Sequence, residues 1–155
     1  MINLDVGSGT IPIEGFVGVD PYNTPKNGVK AFAENLPYED NSVDEIYSSH
    51  ALEHIVKLRV VPTLKEWYRV LKLGGKLTVR VPDLAWCCNW WLNHPTDGWN
   101  MDIIFGGQSN EGEFHKTGFS KEIMLNYLRE AGFKIKKFEE LETHSQQTLH
   151  FECIK

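Results

Sequence analysis

Ile2-Asn3-Leu4-Asp5-Val6-Gly7-Ser8-Gly9, followed by Phe16-Val17-Gly18-Val19 and then Asp20, is the stretch on which the reading of this chain turns. Ile2 to Val6 is apolar enough for a short buried strand, and Gly7 and Gly9 let the backbone turn sharply and approach a ligand closely. Asp20 ends the second apolar run, where a carboxylate can accept hydrogen bonds from both hydroxyls of a ribose. Together they read as a nucleoside-binding edge. Pro12 stands where the dinucleotide pattern G-x-G-x-x-G needs its third glycine, which disfavours a nicotinamide cofactor.

At 155 residues the chain fits a single domain, 1–155, with a sizeable core. Its 41% hydrophobic and 24% charged residues suit a soluble globular protein, and no apolar run approaches the roughly 20 residues of a membrane span. No basic lead precedes the first strand, so a cytoplasmic location is expected. A net charge of −5 gives no general attraction to phosphate backbones, so nucleic acid is not an expected partner. Cys87 and Cys88 are adjacent and Cys153 is remote, a spacing that suits neither a zinc knuckle nor a disulfide framework and predicts reduced, partly buried thiols.

Outward from the glycine loop, only six residues separate Gly9 from Phe16, too few for a crossover helix, so a loop or single turn is expected there. Val29 to Ala33 reads as a short edge strand and Val43 to Ser49 as a half-buried one. From Val61, the apolar positions Leu64, Trp67, Tyr68 and Leu71 fall at helical spacing, with Pro62 in the first turn and Gly74-Gly75 as the stop. Lys76 to Val81 alternates as a strand ending at Pro82-Asp83. Ser120 caps a helix that ends at Gly132, and Phe133 to Leu141 and Thr148 to Ile154 read as an antiparallel pair. Trp86 and Trp90, four apart on one helical face, suit either core or subunit interface, leaving a homodimer open, or a stacking wall for a ring-bearing substrate. Asn93 to Gly118, glycine-rich and aperiodic, reads as a lid in which Trp99, Ile103, Ile104, Phe105 and Phe114 close over the crevice opposite His50 and bring His115 near the reacting group.

Strands alternating with helices and closing in a hairpin predict an α/β sandwich whose ligands sit at the carboxyl ends of the strands. Gly7 to Gly9, Asp20, Glu34 to Leu36, His50 and Asp83 all follow predicted strands.

In that order the blocks resemble a small class I methyltransferase using S-adenosylmethionine (SAM). Leu4 to Gly9 is similar to its glycine-rich motif and Asp20 to its ribose-binding acid. Leu36-Pro37-Tyr38-Glu39-Asp40-Asn41-Ser42-Val43-Asp44 and Ser49-His50-Ala51-Leu52-Glu53-His54 resemble its L-P-F-x-D-x-S-F-D block and S-x-x-L-E-H sequel. Glu66 to Leu77 looks like its helix, tight turn and fifth strand. Val81-Pro82-Asp83 and His115-Lys116-x-Gly118-Phe119 resemble a compact branch with mostly unassigned substrates. The resemblance implies a Rossmann-like, seven-stranded, mostly parallel sheet with an antiparallel last strand, in a three-layer sandwich. It also implies methyl transfer from SAM to a small-molecule acceptor, leaving S-adenosylhomocysteine, with cofactor contacts at Asp5, Gly7, Ser8, Gly9, Asp20, Ala33, Glu34, Asn35, Leu36 and His50. Phe32 stands where many relatives have an aspartate for the adenine amino group, leaving adenine to apolar contacts and backbone near Ala33 to Leu36.

If the acceptor is a hydroxyl, His50 or His115 is the candidate proton acceptor, and Asp83 a group that orients it; for both histidines a structural role is the competing reading. A SAM-binding module without turnover, dependent on a partner, is the second function class. His50-Ala51-Leu52-Glu53-His54 also fits the zinc-peptidase string H-x-x-E-H, but without an evident third ligand no metal is expected.

Overall fold

The computed structural model describes residues 1–96, 98–143 and 146–155. Among them six strands form one sheet in the order β2-β1-β3-β4-β6-β5: β1 Asn3–Val6, β2 Val17–Val19, β3 Val43–Ser49, β4 Leu71–Pro82, β5 Lys134–Thr143 and β6 Gln146–Ile154. β1 to β4 are mutually parallel, and β6 runs antiparallel to both β4 and β5, as the hairpin reading requires. Part of the polar link joining the hairpin, residues 144 and 145, lies outside the described residues.

The expected seventh strand, Val29 to Ala33, reduces to a single bridge between Val19 and Val29. Gly28 crosses Gly18 so closely that a β-carbon on it would lie 2.4 Å from the Gly18 carbonyl. A turn closed by Asn35 N–H to Phe32 O then takes the chain away from the sheet edge.

Helix α1, Lys57–Val70, begins four residues earlier than Val61, so Pro62 falls in its second turn rather than its first. Val60, Leu64, Trp67 and Val70 recur on one face of α1, and all are fully buried. Helix α4, Lys121–Glu130, starts as expected at Ser120, whose hydroxyl accepts from Ile123 N–H, and it buries Met124 and Leu128. Both helices pack with Leu4, Ile46, Leu77, Val79 and Phe151 in one core. Helices α2, Leu84–Asn93, and α3, Trp99–Phe105, contact each other, and α2 reaches the start of β6. Cys87 and Cys153 are buried thiols, pushed by burial up to about 11 and about 12.

Among the described residues the expected third layer is not seen. Alternate residues of a strand face opposite sides of a sheet, and the side away from α1 and α4 carries Glu45, Tyr47, Ser49, Thr78, Arg80 and Glu152, all partly exposed. The short Thr10–Phe16 connection, pinned by Ile13 N–H to Asp5, covers its β1 end through Phe16 against Tyr47. The crossovers that would lay helices on this side are too short or too rich in turns, so its strands present polar side chains instead. Arg80 stacks 5.5 Å from the Tyr47 ring centre and donates to His150 Nδ1 at 2.9 Å.

Candidate active site

The carboxyl ends of β1, β2 and β3 open into a crevice of about 770 Å³. Gly7 enters it at φ +81°, its N–H bonded to Val19 O at 2.8 Å; a β-carbon there would lie 2.4 Å from that of Ala51. Gly9, at φ +61°, has nothing within 4 Å of the place a β-carbon would take, which leaves its backbone open to a ligand.

Asp20 lines the crevice and is 7% exposed. Its Oδ2 accepts from Gly9 N–H at 3.0 Å, and its Oδ1 from Tyr22 N–H at 2.9 Å, Asn23 N–H at 2.7 Å and Asn23 Nδ2 at 3.2 Å. Three of the four bonds crowd onto Oδ1 and one falls on Oδ2, which keeps a second lone pair. Asp20 therefore binds the glycine loop to the turn after β2; a ligand hydroxyl can bond the free side of Oδ2, and one at Oδ1 must displace a donor already there.

Ala33, Glu34 and His50 also line the crevice. His50 follows β3 in a left-handed conformation, φ +54°, unusual for a residue with a side chain. Asp5, Ser8, Asn35 and Leu36 do not line it. Asp5 holds the Thr10–Phe16 connection, Ser8 Oγ bonds Gly9 O, and Leu36 is a core residue whose N–H is taken by Glu66. Asp83 is displaced too: it caps α2 by accepting from Ala85 N–H at 3.0 Å, and burial raises its pKa above the usual carboxylate range.

The long connection contributes differently from its apolar expectation. Asn110, Gly112, Glu113 and Lys116 line the crevice, while Ile103 is buried and Trp99, Phe105 and Phe114 remain 48%, 48% and 37% exposed. Two amides, Lys116 and Thr117, donate to Glu53 O at 2.7 and 3.1 Å and staple this segment beside the Leu52–His54 turn. Trp86 and Trp90 stack on each other, and Trp90 on His94, away from the crevice. Tyr22, half exposed and edge-on to Phe32 at 6.4 Å, is a wall residue that sequence reasoning missed; its aromatic ring in a turn after Asp20 was the available signal.

Behind His50 lies a polar cluster around the buried Glu53. Neither carboxylate oxygen of Glu53 has a hydrogen-bond partner, although His50 Nδ1 stands 3.3 Å from Oε1 outside hydrogen-bonding alignment. His54 Nδ1 donates to Phe114 O at 3.2 Å and His115 Nδ1 to Ile103 O at 2.7 Å. Burial chiefly holds the His115 pKa below its ordinary value.

A methyltransferase-domain family profile matches residues 14–79. The ubiquinone/menaquinone biosynthesis C-methyltransferase of Rhizobium rhizogenes is 45% identical over 51 residues, 33% of this chain; the match spans about a fifth (19%) of that protein's length. A SAM-dependent methyltransferase of Thermotoga maritima superposes with a TM-score of 0.70 at 22% identity, over 99% of this chain and 82% of the other. The chain has the fold of the SAM-dependent methyltransferases. The same methyltransferase fold relates it to the 1,6-didemethyltoxoflavin-N1-methyltransferase of Burkholderia thailandensis, whose structure holds 1,6-didemethyltoxoflavin and S-adenosylhomocysteine (TM-score 0.71, 16% identity, 99% and 70% covered). It also relates it to a Haloferax volcanii protein in complex with the Trm112 methyltransferase activator (0.67, 17%, 99% and 81%). Among the described residues no helix is long and apolar enough to cross a membrane.

Proposed function

We propose that this chain binds SAM in the crevice and transfers its methyl group to a small-molecule acceptor. The observation that carries the reading is the glycine turn at the end of β1, where Gly7 has no room for a side chain and Gly9 leaves its backbone bare towards the crevice. When bound, SAM supplies a methyl group already activated on a sulfonium. The chain's own task is then to position two ligands and exclude water, a term that can supply about 7–11 kcal/mol.

Gly7 and Gly9 take the amino-acid end of the cofactor. Asp20 receives the ribose, exchanging its longest bond, from Asn23 Nδ2, for a ribose hydroxyl. Tyr22 and Phe32 flank the adenine, which suits the apolar alternative to the missing aspartate. His50 faces the acceptor and takes a proton where the acceptor is a hydroxyl. Asn110, Glu113 and Lys116 form the acceptor-side wall.

Calorimetry with S-adenosylhomocysteine tests this. Wild type should bind it, and Asp20→Ala should bind at least tenfold more weakly, since charge-assisted hydrogen bonds are each worth about 1.5–3 kcal/mol. Unchanged affinity in Asp20→Ala removes the ribose assignment. A second reading, a SAM-binding module that acts only with a partner, is favoured by the three-residue β2, whose outer edge is left with one bridge. Binding without turnover on any acceptor until a partner protein is added would select it.

A further inference from the structure

We propose that Glu53, His54 and His115 form a binding site for a divalent transition cation of the zinc or ferrous class, set beside the acceptor side of the crevice. One ligand atom from each residue lies within 4.8 Å of the others. Ligands about 2.1 Å from a tetrahedral ion sit about 3.4 Å apart, so the cluster has only to draw in around an ion.

Three features point to a cation rather than to a chance cluster. Glu53 is 1% exposed and neither carboxylate oxygen accepts a hydrogen bond; His50 Nδ1, 3.3 Å from Oε1, is out of hydrogen-bonding alignment, and a carboxylate buried in that way is stabilised by a cation held against it. Both imidazoles give Nδ1–H to a backbone carbonyl, Phe114 O and Ile103 O, which leaves Nε2 as the nitrogen each has to offer. Metal-ligating histidines are oriented by this kind of bond at the other nitrogen. The rings of His54 and His115 stand 4.9 Å apart, and two nitrogen lone pairs beside a carboxylate repel one another, a repulsion that a positive charge between them removes.

The second acidic histidine cluster, Glu139, His150 and Glu152, lacks this character. His150 Nδ1 accepts from Arg80 and its Nε2–H faces Glu152 at 3.3 Å, so both nitrogens are occupied. Two imidazoles and one carboxylate select zinc, iron or cobalt over magnesium or calcium. Three protein ligands also leave a coordination position for a ligand oxygen. His54 belongs to both the cluster and the crevice wall. The acceptor class that fits is therefore a small molecule bearing a hydroxyl, enol or carboxylate oxygen that ligates the ion. That last clause rests on the methyl-transfer reading; the ion itself does not.

This assignment turns the histidine string of the sequence in a different direction. The third ligand comes from His115, 61 positions after His54, and His115 acts by ligating rather than by taking a proton.

The test titrates the metal-free full chain with Co²⁺, followed by visible absorption and by melting temperature, with S-adenosylhomocysteine calorimetry run in parallel. One equivalent of Co²⁺ should give the intense absorption of a four- or five-coordinate ion and raise the melting temperature. Glu53→Gln and His115→Ala should each weaken Co²⁺ about a hundredfold or more, while His94→Ala, on the exposed end of α2, binds as wild type does. A cooperative melting transition of each metal-free variant reports that it is folded. No cobalt spectrum in the wild type, or equal affinity in wild type and in a folded Glu53→Gln, overturns the site. Cobalt bound without S-adenosylhomocysteine binding keeps the ion and removes the methyl-transfer reading.

Discussion

Asp5 is 5% exposed and receives one hydrogen bond from Ile13; burial raises its pKa above the ordinary 3.8. A carboxyl whose pKa is higher folded than unfolded takes up a proton on folding. Its effect on stability is therefore favourable at low pH and is lost as pH climbs from about 3.8 through the folded value. Asp5→Asn keeps an acceptor for Ile13 without the charge. It should move the urea midpoint upward at pH 7, with the gain over wild type vanishing below about pH 3.8; a midpoint that falls at pH 7 would contradict this account. Gly7, Gly9, Asp20 and His50 line the crevice because each follows a strand whose end faces it, while Ala33 and Glu34 reach it from the turn that stands in place of the expected edge strand. Asp5, Ser8 and Asp83 sit at the same strand ends and point elsewhere. Side-chain direction at a strand end depends on where the chain turns next, and a single sequence does not carry that.

At the scale of elements, α1 holds the loop that floors the crevice. Arg69 bonds Glu66 twice at 2.7 Å, Asp40 at 2.6 Å and Leu36 O at 3.3 Å, and Glu66 in turn accepts from Leu36 N–H. Trp67 adds an indole bond to Ala33 O at 2.9 Å. The bonds to Arg69 hold the Glu66 pKa below its ordinary 4.5, so this contribution is present at neutral pH and lost as pH falls through the depressed value. Arg69→Gln should speed amide exchange across residues 33–42 and cost about 1–2 kcal/mol, less than a fully buried pair would give because Arg69 is 34% exposed. Unaltered exchange in that segment would count against α1 as its anchor. Helical spacing made α1 visible, but not its start, since Val56 lacks a capping side chain. The connection after α2 was expected to be a lid closed by its aromatic residues. Instead, backbone bonds from Lys116 and Thr117 to Glu53 fix its polar end at the crevice, and sequence gives no sign of main-chain pairing between distant loops.

For the whole molecule, the antiparallel hairpin followed from alternation and a short link, whereas the strand order β2-β1-β3-β4-β6-β5 is seen in the structure and was not read from the sequence. The layer count did not follow either, because the family resemblance supplied helices that the short first crossover cannot hold. The missing layer is the feature with the widest thermodynamic reach. The surface, 8463 Å², is slightly above the about 8000 Å² expected of a monomer of this size, and the polar side of the sheet holds partly exposed Glu45, Thr78, Arg80 and Glu152. Such a face is already hydrated in the native state, so unfolding transfers less new apolar surface to water. The heat capacity of unfolding should then fall below the about 2 kcal/mol/K usual for 155 residues. Scanning calorimetry across several pH values would measure it, and a value at or above the usual one would mean that the face is covered in solution. A low heat capacity flattens the curve of stability against temperature, so whatever stability the fold has should change little between a cold and a warm cell.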